Sequence, residues 1–495
     1  MILGLLSPTA IILCLIGVII GIIFGAIPGM TATMAVAVFL PVTYAYPLTE
    51  SLALLLGLYV GGISGGLVPA TLINIPGTPS SICTTLDAYP MAKNGEPEKA
   101  LKIGVVSSFF GGIFSLLILY YFAPALASMA IKFSSVEKFL IILLALTVIA
   151  SLSKGSLLVG IFSGFLGVFI SLIGQFGDNN RLRLVPPGLE DELIYGFTLL
   201  PVLIGLFAIS QILKEAEEGM KRQDFQNISL DKKEKFSLSV FKGQIVNLFR
   251  SAAIGTFVGI LPGIGGSAAS ILSYSQAKNF SKEPEKLGTG VPEGIIASEA
   301  SNNGLTGGAL VPLLSLGIPG DSTTAVLVGA FLLQGIQVGP LFIGNNPDLW
   351  KLMIYALLLA NIIMFIIMYF SIRTIAKLIY APKQILYPII IVMCVIGAYS
   401  INNGIMFDVW TLMLFGLLGY VFDKIGIQTP PFLVGFILGG QLEKYFMDSI
   451  KGSGGSLTIF FTKGPIAWIL WILIIVSIGF YIYQNSKQMM CACEE

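Results

Sequence analysis

Residues 68–77 read VPATLINIPG, and residues 311–320 read VPLLSLGIPG. Both copies open on Val-Pro, close on Ile-Pro-Gly and keep five residues between. Both lie in long apolar surroundings. Both run into hydroxylated residues, Thr78, Ser80 and Ser81 after the first and Ser322, Thr323 and Thr324 after the second. Proline removes a backbone donor and glycine loosens the chain, so each copy is expected to break a helix and leave peptide groups unpaired. In hydrocarbon such groups persist only where protein or a water-filled cavity satisfies them. Broken helices at matching places in two halves are the sequence pointer to a transporter's binding site.

A shorter motif recurs outside these copies. Residues 25–29 read GAIPG and residues 259–263 read GILPG. The shift is 234 residues for this motif and 243 for the decapeptides. Two motifs repeated in the same order at nearly the same shift are what a duplication with a small insertion leaves. The expected organisation is a first membrane repeat over 1–213, a polar linker over 214–249, a second membrane repeat with extra spans over 250–485, and a tail over 486–495. Residues 214–250 carry eight Lys/Arg and six Asp/Glu, which points to the cytoplasmic side. An odd number of crossings per repeat would invert the second, and inverted repeats are expected here.

Composition sets the class. Hydrophobic residues make up 55% of the chain and charged residues 11%, with a mean hydropathy of +0.88. A soluble domain has about 25% charged residues. The runs 103–130, 350–371 and 465–483 reach the roughly 20 residues needed to span hydrocarbon. The chain is therefore expected to be an all-α polytopic membrane protein with about 10–12 transmembrane or re-entrant helices, several broken at Pro-Gly motifs. Residues 34–46 are apolar but too short to cross, which fits a half-helix. The first apolar run lacks a basic leader and is read as a retained span.

Net charge is +1, which leaves no basic surface for nucleic acid. The chain has no histidine, which excludes a histidine base, proton relay or metal ligand. Its five cysteines, Cys14, Cys83, Cys394, Cys491 and Cys493, have no zinc or disulfide spacing. No GxxxxGK[ST] loop is present to drive transport with ATP inside this chain.

The candidate site follows from the breaks. A half-helix that starts after a Pro-Gly turn aims its positive end at whatever lies there, and that suits a carboxylate. The substrate candidates are Gly29 and Thr31, then Gly263, Gly265 and Ser267, then Gly77, Thr78 and Ser80, then Gly320 and Ser322. Asn74, Asn302 and Asn303 join them as amides in otherwise apolar or small-residue runs. Hydroxyls and freed carbonyls are hard ligands for a cation. The ion-coupling candidates are therefore Thr78, Ser81, Asp321, Thr323 and Thr324, with Asp321 and Thr323 as the Na⁺ position. Asp321 is the only acid in either run, and an acid at membrane depth is functional by default. It would bind Na⁺ or carry a proton. Glu293 is expected in a surface loop, and Asp87 and Lys93 in a solvated one.

At these motifs the chain resembles the large membrane subunit of the tripartite tricarboxylate transporters, the TctA family. The resemblance is carried by GAIPG at 25–29, LINIPGTPSS at 72–81, LDAYPMAKNGEPEKAL at 86–101, GILPGIGGSAASILSY at 259–274, and the long block at 288–340 that ends GIQVGP. Ala88 departs from the pattern, where a glycine is expected after Leu-Asp. The resemblance implies secondary uptake of small carboxylates such as citrate across the bacterial inner membrane, driven by a cation gradient, usually Na⁺. It also implies two partners, a small membrane subunit and an extracytoplasmic solute-binding protein. It implies no cofactor and no enzymatic activity. Two rivals stay open at this point. One is an ion or solute channel or passive membrane scaffold. The other is an intramembrane aspartyl protease, which Gly320-Asp321 brings to mind but for which no second membrane acid is evident.

Overall fold

The computed structural model describes residues 7–152, 157–176, 181–217, 236–262, 265–401 and 404–492. It is almost wholly helical. The first half runs α1 (Pro8–Ala26), α2 (Ala32–Phe39), α3 (Leu48–Gly65), α4 (Leu67–Leu72), α5 (Thr84–Lys93), α6 (Pro97–Ala130), α7 (Ser135–Leu152), α8 (Leu157–Ser171), α9 (Leu199–Ile204) and α10 (Ser210–Glu217). The second half runs α11 (Ile245–Ile260), α12 (Gly265–Phe280), α13 (Pro292–Leu316), α14 (Ser322–Leu333), α15 (Pro347–Ala376), α16 (Lys383–Ile401), α17 (Met406–Ile425), α18 (Thr429–Gly452) and α19 (Pro465–Ala492). A small antiparallel hairpin, β1 (Gly174–Phe176) with β2 (Arg181–Arg183), lies between α8 and α9. Arg183 ties it to α18 through Glu443, with Nη1 2.6 Å from Oε1. Among the described residues seven helices are long and apolar enough to cross a membrane, and five more are shorter and apolar. This matches the expected all-α polytopic class.

Local chemistry explains where the helices start and stop. Ser7 caps α1 by accepting from the Ala10 amide at 3.2 Å, with Pro8 in the first turn. The helix ends at Ala26, just before Ile27-Pro28, because the residue ahead of a proline disfavours the helical region. Gly29 then turns the chain with φ +90°, and Thr31 caps α2 by accepting from Met34. At eight residues, α2 is the half-helix expected from residues 34–46. The decapeptides break later than their full length implies. Pro69 lies inside α4 and Pro312 inside α13, so the breaks fall in the second half of each decapeptide, after Leu72 and after Leu316.

Glycine sets the packing. Gly17, Gly21 and Gly25 on α1 face Gly57, Gly61 and Gly65 on α3, backbone against backbone. In the second half Gly255 and Gly259 on α11 meet α13 at Ser301, Leu305 and Gly308 in the same manner. Small residues spaced by four let membrane helices approach this closely. The long helix of each half lies on the other half: α6 packs on α13 and α15 packs on α3. Outside this core α18 packs on α8, α19 on α7, and the α9–α10 segment on α17.

Two expectations change here. Asp87 is not in a solvated loop. It lies in α5 with no exposed surface, because its Oδ1 accepts from the amides of Gly288, Gly290 and Val291 at 2.9–3.0 Å and its Oδ2 from Tyr274 Oη at 2.7 Å. Glu293 is half-buried in the first turn of α13 and accepts from Ser281 Oγ at 2.7 Å. Lys93 is exposed, as expected. Of the linker, residues 218–235 lie outside the described residues, while Lys214 still belongs to α10. Of the tail, residues up to Ala492 continue α19.

The two halves close their breaks in the same way. A Cβ on Gly77 would overlap the Gly25 carbonyl oxygen, and one on Gly320 would lie 2.7 Å from that of Gly259. Gly77→Ala and Gly320→Ala are each expected to destabilise by about 1–3 kcal/mol, the usual cost of overpacking. Gly440→Ala, at a position with nothing within 4 Å, should leave the melting temperature unchanged. Thermal unfolding in lipid nanodiscs checks all three.

Candidate substrate and ion site

All four helix breaks end on one cavity. It has a volume of about 730 Å³ and is lined by Thr31, Thr78, Ser80, Gly265, Ser267, Asp321, Ser322 and Thr323, among others. The volume lies within the range of small-molecule sites, about 300–1,000 Å³. The starts of α2, α12 and α14 and the short turn Pro79–Ser81 meet there, so helix N-termini converge from both halves. Side chains join the tips in pairs. Thr33 Oγ1 and Thr323 Oγ1 lie 2.8 Å apart, linking α2 to α14. Ser267 Oγ donates to the Pro79 carbonyl at 2.8 Å, linking α12 to the Thr78 turn.

Asp321 has a structural duty as well. It is the N-cap of α14, and its Oδ1 accepts from the Thr324 amide and from Thr324 Oγ1, both at 2.7 Å. Its own amide donates back to Thr324 Oγ1 at 2.9 Å. Thr78 and Ser81 form the matching capping box in the first half. Thr324 and Ser81 are thereby buried behind the cavity wall.

The remaining sequence candidates are placed elsewhere. Gly77 and Gly320 hold the breaks against α1 and α11 and do not line the cavity. Gly29 leaves room for the Glu215 carboxyl of α10, which pairs with Lys383 at 2.7 Å. Asn74 is exposed at φ +58°, a left-handed turn position that asparagine tolerates. Asn302 and Asn303 are fully buried inside α13 and face neighbouring helices; Asn303 Oδ1 accepts from Ser64 Oγ at 2.7 Å. Gly263 lies outside the described residues.

The cavity also takes residues that the motifs did not mark. Ser210, Gln211 and Lys214 come from α10, Tyr420 and Asp423 from α17, and Gln428 and Thr429 from the start of α18. Lys214, Asp321 and Asp423 are the charged residues of the lining. Lys214 Nζ stands 2.7 Å from Asp423 Oδ2. The π-helical turn Gly205–Ile209 rotates α10 relative to α9, and such bulges recur at functional sites. A polar Ser-Gln-Ile-Leu-Lys run at the end of an apolar block was the available signal, but by position it reads as the start of the linker.

Comparison with known proteins settles the family. The family model of the tripartite tricarboxylate transporter TctA family matches residues 11–434. The chain belongs to that family. An uncharacterized 52.8 kDa protein of the TAR-I ttuC' 3' region of Agrobacterium vitis is 36% identical over 468 residues, covering 93% of this chain and 91% of that protein. An uncharacterized protein of the TAR-II ttuC' 3' region of the same organism is 40% identical over 213 residues, covering 43% of this chain and 87% of the relative. No solved structure matches. A TctA-family chain is the membrane component of a transporter with further subunits, so the protease reading falls away. With its apolar helices, the chain is a multi-pass membrane protein.

The geometry separates lining from support. In a background with Cys491→Ser and Cys493→Ser, Ser267→Cys and Ser322→Cys should react with a hydrophilic maleimide, while Asn302→Cys should not. The native Cys14, Cys83 and Cys394 are buried and give a low baseline. Mass spectrometry of the labelled protein reads the outcome.

Proposed function

We propose that this TctA-family chain is the large membrane subunit of a binding-protein-dependent secondary transporter. It takes up small carboxylates of the citrate class across the bacterial inner membrane, coupled to a gradient of Na⁺ or H⁺. The convergence of four broken-helix tips on one cavity carries this reading. Amides and hydroxyls at helix N-termini are donors, and a multiply charged carboxylate is an acceptor with no donors of its own. In the low dielectric of a membrane each such contact is stronger than in water.

The cavity divides its work. The Thr78–Ser80 turn and the Gly265–Ser267 tip offer donors for a carboxylate. Lys214 adds the cation, exchanging Asp423 for the substrate. The start of α14 brings Asp321 and Thr323 beside Thr33 of α2, an oxygen set that suits Na⁺ or a proton. An anion and a cation bound in the same cavity neutralise each other, which lets both cross together. The other two partners are a small membrane subunit and a solute-binding protein that delivers substrate from outside. Movement of one helical group against the rest would alternate access to the two sides.

Uptake of labelled citrate and related carboxylates into vesicles tests the reading, with a Na⁺ gradient, a proton gradient or neither, and with or without the binding protein. Saturable, gradient-dependent uptake that requires the binding protein is expected. Flux indifferent to both gradients would return the channel or scaffold reading. Asp321→Asn keeps an oxygen to cap α14, so it should fold normally yet lower gradient-driven uptake more than Glu293→Gln does. Lys214→Gln should raise the transport KM by about tenfold, the scale of one lost charged hydrogen bond.

A further inference from the structure

Helix α13 carries a buried acid that the cavity does not use. Glu299 lies two turns into the helix and has no exposed surface. Leu305, six residues further on and about 9 Å along the axis, lines the cavity. The carboxyl is held from two other helices. Its Oε1 accepts from Thr84 Oγ1 of α5 at 2.6 Å, and its Oε2 accepts from Ser108 Oγ of α6 at 2.8 Å. Beside it, one turn along α13, stands Asn302. That side chain is also fully buried; its amide shares a hydrogen bond with the Glu299 carboxyl, and its Oδ1 and Nδ2 find no other partner.

No cation answers this carboxylate. On α5 the charged groups are Asp87, spent on three amides and Tyr274, and the exposed Lys93. On α6 Glu98 is paired with Lys102 and with Arg373 of α15, and Lys99 with Glu96. On α11 Arg250 lies over the Phe280 ring and donates to Asn247. On α12 Tyr274 bonds Asp87, and Lys278 sits in the last turn. On α3 Tyr59 donates to the Thr306 carbonyl, and Glu50 accepts from Thr9. Cys83, next to α5, is a buried thiol. The elements at Ser322–Leu333, Phe342–Asn345 and Pro79–Ser81 bring no charge. Among the described residues none of these groups pairs with Glu299.

An ionised carboxylate buried without a counter-charge is costly, and a proton removes that cost. A protonated carboxyl becomes a donor and needs an acceptor. The Asn302 amide beside it, turned to present its Oδ1, is one. The oxygens of Thr84, Ser108 and Glu299 are already closed to hydrogen-bond distance, which leaves a proton room and a hydrated cation none.

We propose that Glu299, with Thr84, Ser108 and Asn302, is a proton-binding site separate from the cavity, whose occupancy controls how α13 packs against α5 and α6. Its part in a transport cycle rests on the transporter reading, but the proton itself does not. With the proton bound, α13 is joined to α5 and α6 through neutral hydrogen bonds. Loss of the proton leaves an unpaired charge, which favours a state in which water reaches the site. Because α13 also forms a wall of the cavity, the two events share one helix.

Infrared spectroscopy of the purified chain in nanodiscs tests this without substrate, gradient or partner proteins. The wild type at neutral pH is expected to show the C=O stretch of a protonated carboxylic acid, shifted in D₂O. Glu299→Gln should lose that band, and Asp321→Asn should keep it. Asn302→Ala should retain the band and move it to higher frequency, as one acceptor is lost, and this variant serves if Glu299→Gln does not fold. A wild-type spectrum without the band overturns the proposal, as does a band that survives Glu299→Gln. A band abolished by Na⁺ at constant pH also overturns it, since the site would then hold a metal cation. Failure of the uptake experiment leaves these spectra unaffected, so the two readings fail separately.

Discussion

A peptide group in hydrocarbon has no water to bond, and every break in a membrane helix has to be closed by protein or opened onto a cavity. This chain does both at once. At each break the backbone turns under a glycine pressed against a carbonyl of the neighbouring helix, Gly77 on Gly25 and Gly320 on Gly259. A side chain at either position would push the helices apart. On the other side of the same turn the hydroxyl and carboxyl side chains at the helix starts line the cavity. Close packing behind the turn and polarity in front of it are therefore one constraint. The glycine-lined contacts of α1 with α3 and of α11 with α13 extend it along the whole helix pair.

The polar side chains sort by the duty this constraint gives them. Thr31, Ser81, Asp321 and Thr324 satisfy helix ends, and some of them do so from the cavity wall. Thr33 with Thr323, and Ser267 with Pro79, bind one half to the other. Asp87 acts as an internal anion, collecting the amides of Gly288, Gly290 and Val291 and so fixing the entry to α13 on α5. A carboxylate that accepts several backbone amides is among the stronger local fixings available. Helix α13 is thus anchored at its start by Asp87, gripped in its middle by α6 and α11, and exposed at Leu305 to the cavity.

Asn302 and Asn303 show where polarity misleads. An amide in a small-residue run reads as a ligand contact. In the fold both lie on a helix that is surrounded by other helices, and Asn303 bonds Ser64 of α3. Lys214 shows the reverse. It sits where the apolar block gives way to charges and reads as linker, yet the α9–α10 segment packs on α17 and brings it into the cavity opposite Asp423.

What the sequence determined by itself was everything set by local backbone and composition. The membrane class, the short helix after the first Pro-Gly turn and the breaking of helices at the Ile-Pro-Gly ends all follow from neighbours a few residues apart. The cavity-facing hydroxyls at Thr78, Ser80, Ser267, Ser322 and Thr323 were legible because they adjoin the breaks. Only the tertiary structure decided which faces meet. Contacts such as Lys214 with Asp423, Asp87 with Gly290, and Glu299 with Thr84 and Ser108 join residues about two hundred positions apart in the chain. No local pattern encodes them, because the energy that selects them comes from burying helix against helix.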